Sequence, residues 1–145
     1  MKRHPALVPL SEDHHHELVQ ARRLVRAAEG TPEERLAAGA AYVETFFTET
    51  VEHFRREEES VFPLYAAHAG ANDPLLRRTL EEHMQLHGLV RALRSEVAAG
   101  EVIEPTLREL GDLLHEHVRL EERELFEAIQ GVVPDEELRS LPWPE

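Results

Sequence analysis

The pattern H-x-x-x-E-E-x-x-aliphatic-Phe occurs twice in this chain, as HFRREEESVF from His53 to Phe62 and as HVRLEERELF from His117 to Phe126. Each copy lies in a stretch of helical periodicity, so its His and first Glu stack on one helix face. The other histidines are grouped as well: His14-His15-His16, the pair His83 and His87 between the two copies, and His115 beside His117. Taken singly, an i,i+4 His–Glu pair is usually a solvated surface pair. Several such groups in phase with apolar stripes instead demand a core in which imidazole and carboxylate are jointly satisfied, because a buried carboxylate without a partner is very costly.

Punctuation divides the chain into four long helices. The first starts near Ser11, with Glu12 and Asp13 in its first turn, and ends near Gly30. Thr31-Pro32-Glu33-Glu34 opens the second, which runs at least to Val61, where Pro63 kinks or ends it before the loop at residues 69–72. Asp73-Pro74 opens the third, which stops at Gly100, and the fourth runs from near Glu104-Pro105 to near Gly131. Short loops between long amphipathic helices predict an all-α, up-down-up-down four-helix bundle in one domain over residues 1–145. The bundle occupies about 11–130 and a Pro-rich tail follows at 131–145, with a short turn from Asp135 to Ser140.

Phase, at about 100° per residue, sorts the histidines. His83 and His87 fall on the stripe of Leu76, Leu80, Val90 and Val97. His117 and Glu121 fall with Leu110, Leu113 and Ala128; His53 and Glu57 with Phe46 and Leu64; His14 with Leu18, Ala21 and Val25. Distance along the helices from the turns near residues 70 and 102 gives an independent sorting into two adjacent layers. One layer is Glu57, His83 and Glu121; the other is His53, His87 and His117. The first helix fits this counting less well. Either the second helix overhangs it or residues 30–37 are irregular, and His14 and His15 remain alternatives.

Four or five imidazoles and two carboxylates converging in one core suit a dinuclear metal centre, of iron, manganese, zinc or copper. If two six-coordinate ions offer about 12 positions, five histidines, two bridging carboxylates and a bridging oxide or hydroxide leave one open for a small ligand. Phe46, Phe54, Leu86 and Leu113 would keep that pocket small. The chain has no cysteine, which excludes disulfides, thiolate metal sites and thiol nucleophiles. Its net charge of −13 argues against nucleic acid and anionic membranes. No run of apolar residues is long enough to span a bilayer and no leader pattern is visible, so a cytoplasmic location is expected.

The order His, His-x-x-x-Glu, His-x-x-x-His, His-x-x-x-Glu, from about Leu10 to Phe126, resembles the hemerythrin-like (HHE cation-binding) family. The resemblance implies a four-helix bundle holding two iron ions, oxo- or hydroxo-bridged, with His53, His83, His87 and His117 as ligands of helices two to four. It further implies Glu57 as the bridging carboxylate and His14 or His15 as the single histidine of helix one. Oxygen-carrying members have Asp five residues after the last His, where Glu122 stands. Wider members often have Glu four residues after it, matching Glu121. The expected metal ligands are therefore His14, His53, Glu57, His83, His87, His117 and Glu121, with Glu122 the alternative to Glu121.

The expected function is binding of, or reaction with, dioxygen, nitric oxide or peroxide at an open iron position, in a binding protein rather than a dedicated enzyme. A ferritin-like di-metal oxidase or peroxidase is one alternative, although such sites use Glu-x-x-His pairs and the chain offers only Glu12–His15. A mononuclear zinc or manganese bundle enzyme is another, and a metal-free bundle acting through a protein partner a third. Glu58, Glu59 and Glu122 are expected in solvent, and His4 and His68 in solvent-facing loops. Glu124 is expected on the inner face as a partner for a ligand histidine, Tyr42 in the core, and Trp143 as a packing anchor.

Overall fold

The structure is a computed structural model that describes residues 2–143, so the last two residues of the expected tail lie outside it. It is all-helical, with no strand among the described residues. Helix α1 spans Val8–Ala28 and is preceded by a 3₁₀ turn at Pro5–Leu7. Helix α2 is one rod over 32–69, α3 spans Pro74–Ala99, α4 covers 104–132, and a short α5 spans Asp135–Arg139.

The helix starts follow their capping residues. The Thr31 hydroxyl accepts from the Glu34 N–H and the Asp73 carboxylate from the Leu76 N–H, each followed by Pro at the first helical position. Helix α3 stops at Gly100, whose φ of +80° is left-handed and open to glycine. The first helix starts earlier than its sequence suggests. Ser11 lies inside α1, and its hydroxyl donates to Glu122 instead of capping. The cap function falls to His4, whose Nδ1 accepts from the Ala6 N–H while its Nε2 meets Asp135 at 2.7 Å. His4 is thus a half-buried tie and not a free loop residue. His68 also lies in a helix, exposed and paired with Glu137.

Pro63 does not end α2. The rod comprises Pro32–Thr45, a wide π turn at Phe46–Thr50, Val51–Arg56, a second π turn at Glu57–Val61, and Phe62–Ala69. In the second π turn the Phe62 N–H reaches back five residues to the Glu57 carbonyl, so the register has already loosened where proline cannot donate. Helix α4 repeats the device, with Glu104–Leu120, a π turn at Glu121–Leu125 and Phe126–Val132. Both of these π turns begin on the first Glu of the repeated motif.

Helix α1 runs antiparallel to α4, and α2 to α3, where they touch. His14 meets Glu122, whereas a Cβ on Gly111 would meet Val25 at 2.7 Å and the Ala21 carbonyl at 2.9 Å. Likewise Gly39 packs on Leu93 and Val97, whereas Glu58 meets His83. The irregular fit of α1 resolves as an overhang. Helix α1 ends level with Arg108, which pairs with Glu29. Regular helix at the start of α2 continues past it to the α3–α4 turn, where Arg35 donates to the Val102 carbonyl.

Two apolar clusters divide the interior. One gathers Tyr42, Phe46, Phe54, Leu86, Val90 and Leu110 toward the α3–α4 turn, and the other gathers Leu10, Phe62, Leu76, Phe126 and Ile129 toward the opposite end. Helix α5 closes the second cluster with Leu138, and Trp143 anchors there through its indole N–H to the Ala6 carbonyl. Between the clusters lies a polar layer.

Candidate metal centre

That layer holds His14, His53, Glu57, His83, His117 and Glu121, each at most 3% exposed. Their donor atoms form two groups, His14 with His53, Glu57 and Glu121, and His83 with His117 and Glu121. Within each group the atoms lie within 4.8 Å of one another, the spread expected of donors about 2 Å from a shared cation. Glu121 belongs to both groups. Its Oε2 lies 2.6 Å from His117 Nε2, 3.6 Å from His14 Nε2 and 3.7 Å from His83 Nε2. Glu57 spans them from the other side, with Oε2 3.4 Å from His53 Nε2 and Oε1 3.3 Å from His83 Nε2.

All four imidazoles are oriented alike. Nε2 points inward, and Nδ1 is held by a carboxylate on a neighbouring helix. Asp13 of α1 holds His53 at 2.9 Å, Glu58 of α2 holds His83 at 2.7 Å, Glu82 of α3 holds His117 at 2.8 Å, and Glu122 of α4 returns to hold His14 at 2.9 Å. Each rod thus fixes the histidine of the next, and the ring closes. A carboxylate on Nδ1 sets the tautomer that leaves an Nε2 lone pair facing inward, and it raises ligand basicity. The two halves of the chain contribute equivalent sets. Asp13-His14 corresponds to Glu82-His83, and His53…Glu57-Glu58 to His117…Glu121-Glu122.

The donors fit a cation. Both oxygens of Glu57, both of Glu121 and the Nε2 atoms of His83 and His117 are buried without a hydrogen-bond partner. The Nε2 atoms of His14 and His53 face each other at 3.1 Å, and with Nδ1–H committed to Glu122 and Asp13 each can offer a lone pair once its Nε2 proton is lost. Rings wall the layer. Phe54 stacks on His83 at 3.8 Å and Phe126 on His14 at 5.2 Å.

In the metal-free protein protons occupy this place. Burial alone would lower the imidazoles, but the Glu121 carboxylate overrides it and holds His14 up at about 10. The nearby carboxylates of Glu121, Glu57 and Glu58 likewise override burial and hold His83 at about 11. Burial would raise Glu121, and His117 with the other imidazoles holds it well below the usual carboxylate range. Raised histidines stabilise the metal-free fold fully below about 6.5, and that contribution fades as pH rises through about 10 for His14 and about 11 for His83. A cation needs the lone pairs those protons occupy. Loading at pH 7 is therefore expected to release protons, and apparent affinity to rise with pH. Calorimetric titration in two buffers of different ionisation heat checks the proton count; identical heats would contradict it.

Sequence and structure can be compared residue by residue at the centre. His87 is exposed and outside both donor groups, with its ring 5.1 Å from that of Phe46. The buried face of α3 runs through Leu76, Thr79, His83, Leu86, Val90 and Leu93, which leaves Leu80 and His87 one step around the helix. Leu86 takes the inward place because burying it is worth about 2 kcal/mol, whereas an imidazole can stay in water. His14, and not His15, reaches the layer; His15 is exposed, as is Glu12, so the ferritin-type pair lies away from the centre. Glu58 is exposed as expected and Glu122 is half-buried, and each in addition holds a ring. Glu124 is exposed because the π turn inserts a residue and gives the inward place to Leu125. Sequence reasoning missed Asp13 and Glu82, although each precedes a histidine of the buried layer. It also missed Glu17, one turn beyond His14 and 6% exposed, which burial pushes up against the opposing pull of His53 and His14.

His87→Ala is accordingly expected to leave the metal content of the purified protein near that of the unsubstituted chain, whereas His83→Ala removes much of it. Metal analysis of both variants checks this, and equal losses would place His87 among the ligands.

A buried histidine–carboxylate layer between helical rods defines a cation-binding helical bundle. Residues 7–129 match the hemerythrin HHE cation-binding domain, and the chain belongs to that family. Searches of curated proteins and of solved structures give no match. No helix among the described residues is long and apolar enough to cross a membrane.

Proposed function

We propose that this protein is a cytoplasmic non-haem di-iron protein, on an up-down-up-down four-helix scaffold, that binds or reacts with dioxygen, nitric oxide or peroxide. His14 and His53 would hold one ion and His83 and His117 the other, with Glu57 and Glu121 between them. Iron held there supplies reversible or redox binding of such small ligands. The carrying observation is the set of buried, unpartnered donor atoms turned toward one another by a closed ring of carboxylates. Imidazole with carboxylate favours iron over the softer thiolate-seeking ions.

The residues of the chain do the rest. The ring fixes the imidazoles, the aromatic walls exclude bulk water, and His87 standing outside leaves one more position for an exogenous ligand than seven ligands would. Anaerobic reconstitution with ferrous iron tests the reading. The expected result is two irons per chain, one for each donor group, and an absorption spectrum that differs among air, nitric oxide and argon. Far fewer than two irons, or hydrolysis with zinc and no iron spectrum, would overturn it.

A further inference from the structure

A second polar feature adjoins the centre and belongs to neither donor group. A cavity of about 240 Å³ lies between α1 and α2. Its outer lining includes the exposed Glu49 and Glu52 and the half-buried Asp13, and its inner lining is Glu17, Tyr42, Thr50 and the ligand His53. Both carboxylate oxygens of Glu17 and the Tyr42 hydroxyl are buried without a hydrogen-bond partner. Glu17 is 6% exposed and Tyr42 2%. Buried polar atoms without protein partners call for an occupant that satisfies them. The walls give its sign. Four carboxylates, those of Asp13, Glu17, Glu49 and Glu52, stand against the single guanidinium of Arg56, in a chain of net charge −13. Such a cleft repels anions and concentrates cations. The remaining polar lining is the exposed His16, together with Gln20 and Thr hydroxyls, and the oxygens among them suit a hard, partly hydrated dication.

We propose that the α1–α2 cavity is the loading route of the metal centre, a transit site in which Glu17 holds a divalent cation before it passes to His53 and Glu57. The rim carboxylates gather the ion, Glu17 replaces part of its water, and His53 forms the inner wall where the route meets the permanent ligands. The proposal rests on the metal-centre reading above, and the experiment separates the two.

The metal-free full chain is mixed with Co²⁺ in a stopped-flow instrument, and growth of the cobalt absorption gives the bimolecular loading rate. Glu17→Gln is expected to slow loading about tenfold, the lower end of electrostatic acceleration by a charged cleft. Its cobalt content at long times should reach that of the unsubstituted protein, with unchanged helical circular dichroism. The surface double variant Glu49→Gln/Glu52→Gln is expected to slow loading about threefold, and the unsubstituted rate to fall with added salt. Glu29→Gln, at the far end of α1, should change nothing. Loading of Glu17→Gln at the unsubstituted rate would overturn the proposal. So would a lowered final cobalt content, which would make Glu17 a resident ligand. So would a slowed nitric oxide reaction with unchanged cobalt loading, which would make the cavity a gas route. Should Glu17→Gln fail to fold, the rim variant decides, and an unchanged rate there overturns the route. An unsubstituted chain that takes up no cobalt overturns the metal centre itself.

Discussion

After reconstitution with ferrous iron, Glu121→Ala is expected to hold less than about half of the iron that the unsubstituted chain takes up, while Glu122→Ala fills its sites at saturating iron with an affinity about 10- to 100-fold weaker. The two glutamates are neighbours in sequence with different work. Glu121 is fully buried and belongs to both donor groups, so its loss removes a donor from each. Glu122 is only half-buried and touches no inward Nε2; it holds His14 through Nδ1 and accepts from Ser11. Its removal frees the ring to turn and lowers its basicity without deleting a ligand. Glu122→Gln should recover much of the affinity, because an amide oxygen still accepts from Nδ1–H, whereas Glu121→Gln should recover little. Iron per chain after desalting, followed by competition with a graded chelator, checks both. Equal losses from the two alanine variants would sink the assignment of roles.

Much of this was legible in the sequence because helices are periodic. Phase placed His14, His53, Glu57, His83, His117 and Glu121 on inner faces, and the same six meet in the structure. Periodicity failed where the helix departs from 3.6 residues per turn. The π turn after Glu121 turned Glu124 outward, and the one after Glu57 carried the rod past Pro63. It also could not choose between neighbours that share a face. His83 and His87 are a turn apart, and only the packing of Leu86 decides that His87 stays outside. The ring of outer carboxylates was hidden for a third reason. Each acid acts across a helix–helix contact, so Asp13 and Glu82 look like ordinary surface charges until the neighbouring rod is in place. The adjacency that marks them, an acid immediately before a buried histidine or after a buried glutamate of the layer, becomes meaningful once all four are seen to reach across.

Stripping the metal is expected to lower the melting temperature by about 10 °C. The layer between the two apolar clusters is a poor core on its own, since its six side chains bury charge and lone pairs and contribute little hydrocarbon contact. A ligand that binds only the folded state stabilises it by about 4 kcal/mol when its free concentration is about a thousandfold above its dissociation constant. For a domain of this size each kcal/mol shifts melting by about 3 °C. Thermal scans with iron, with chelator, and with chelator followed by excess iron measure the shift and its reversal. Glu121→Ala supplies the control, because a chain that cannot hold the ions should melt at one temperature in all three. A shift in the variant as large as in the unsubstituted chain would mean that iron acts elsewhere on the surface. No shift in either would mean that the bundle stands without a cation, with His14 and His83 kept protonated as the permanent counter-charges of Glu57 and Glu121.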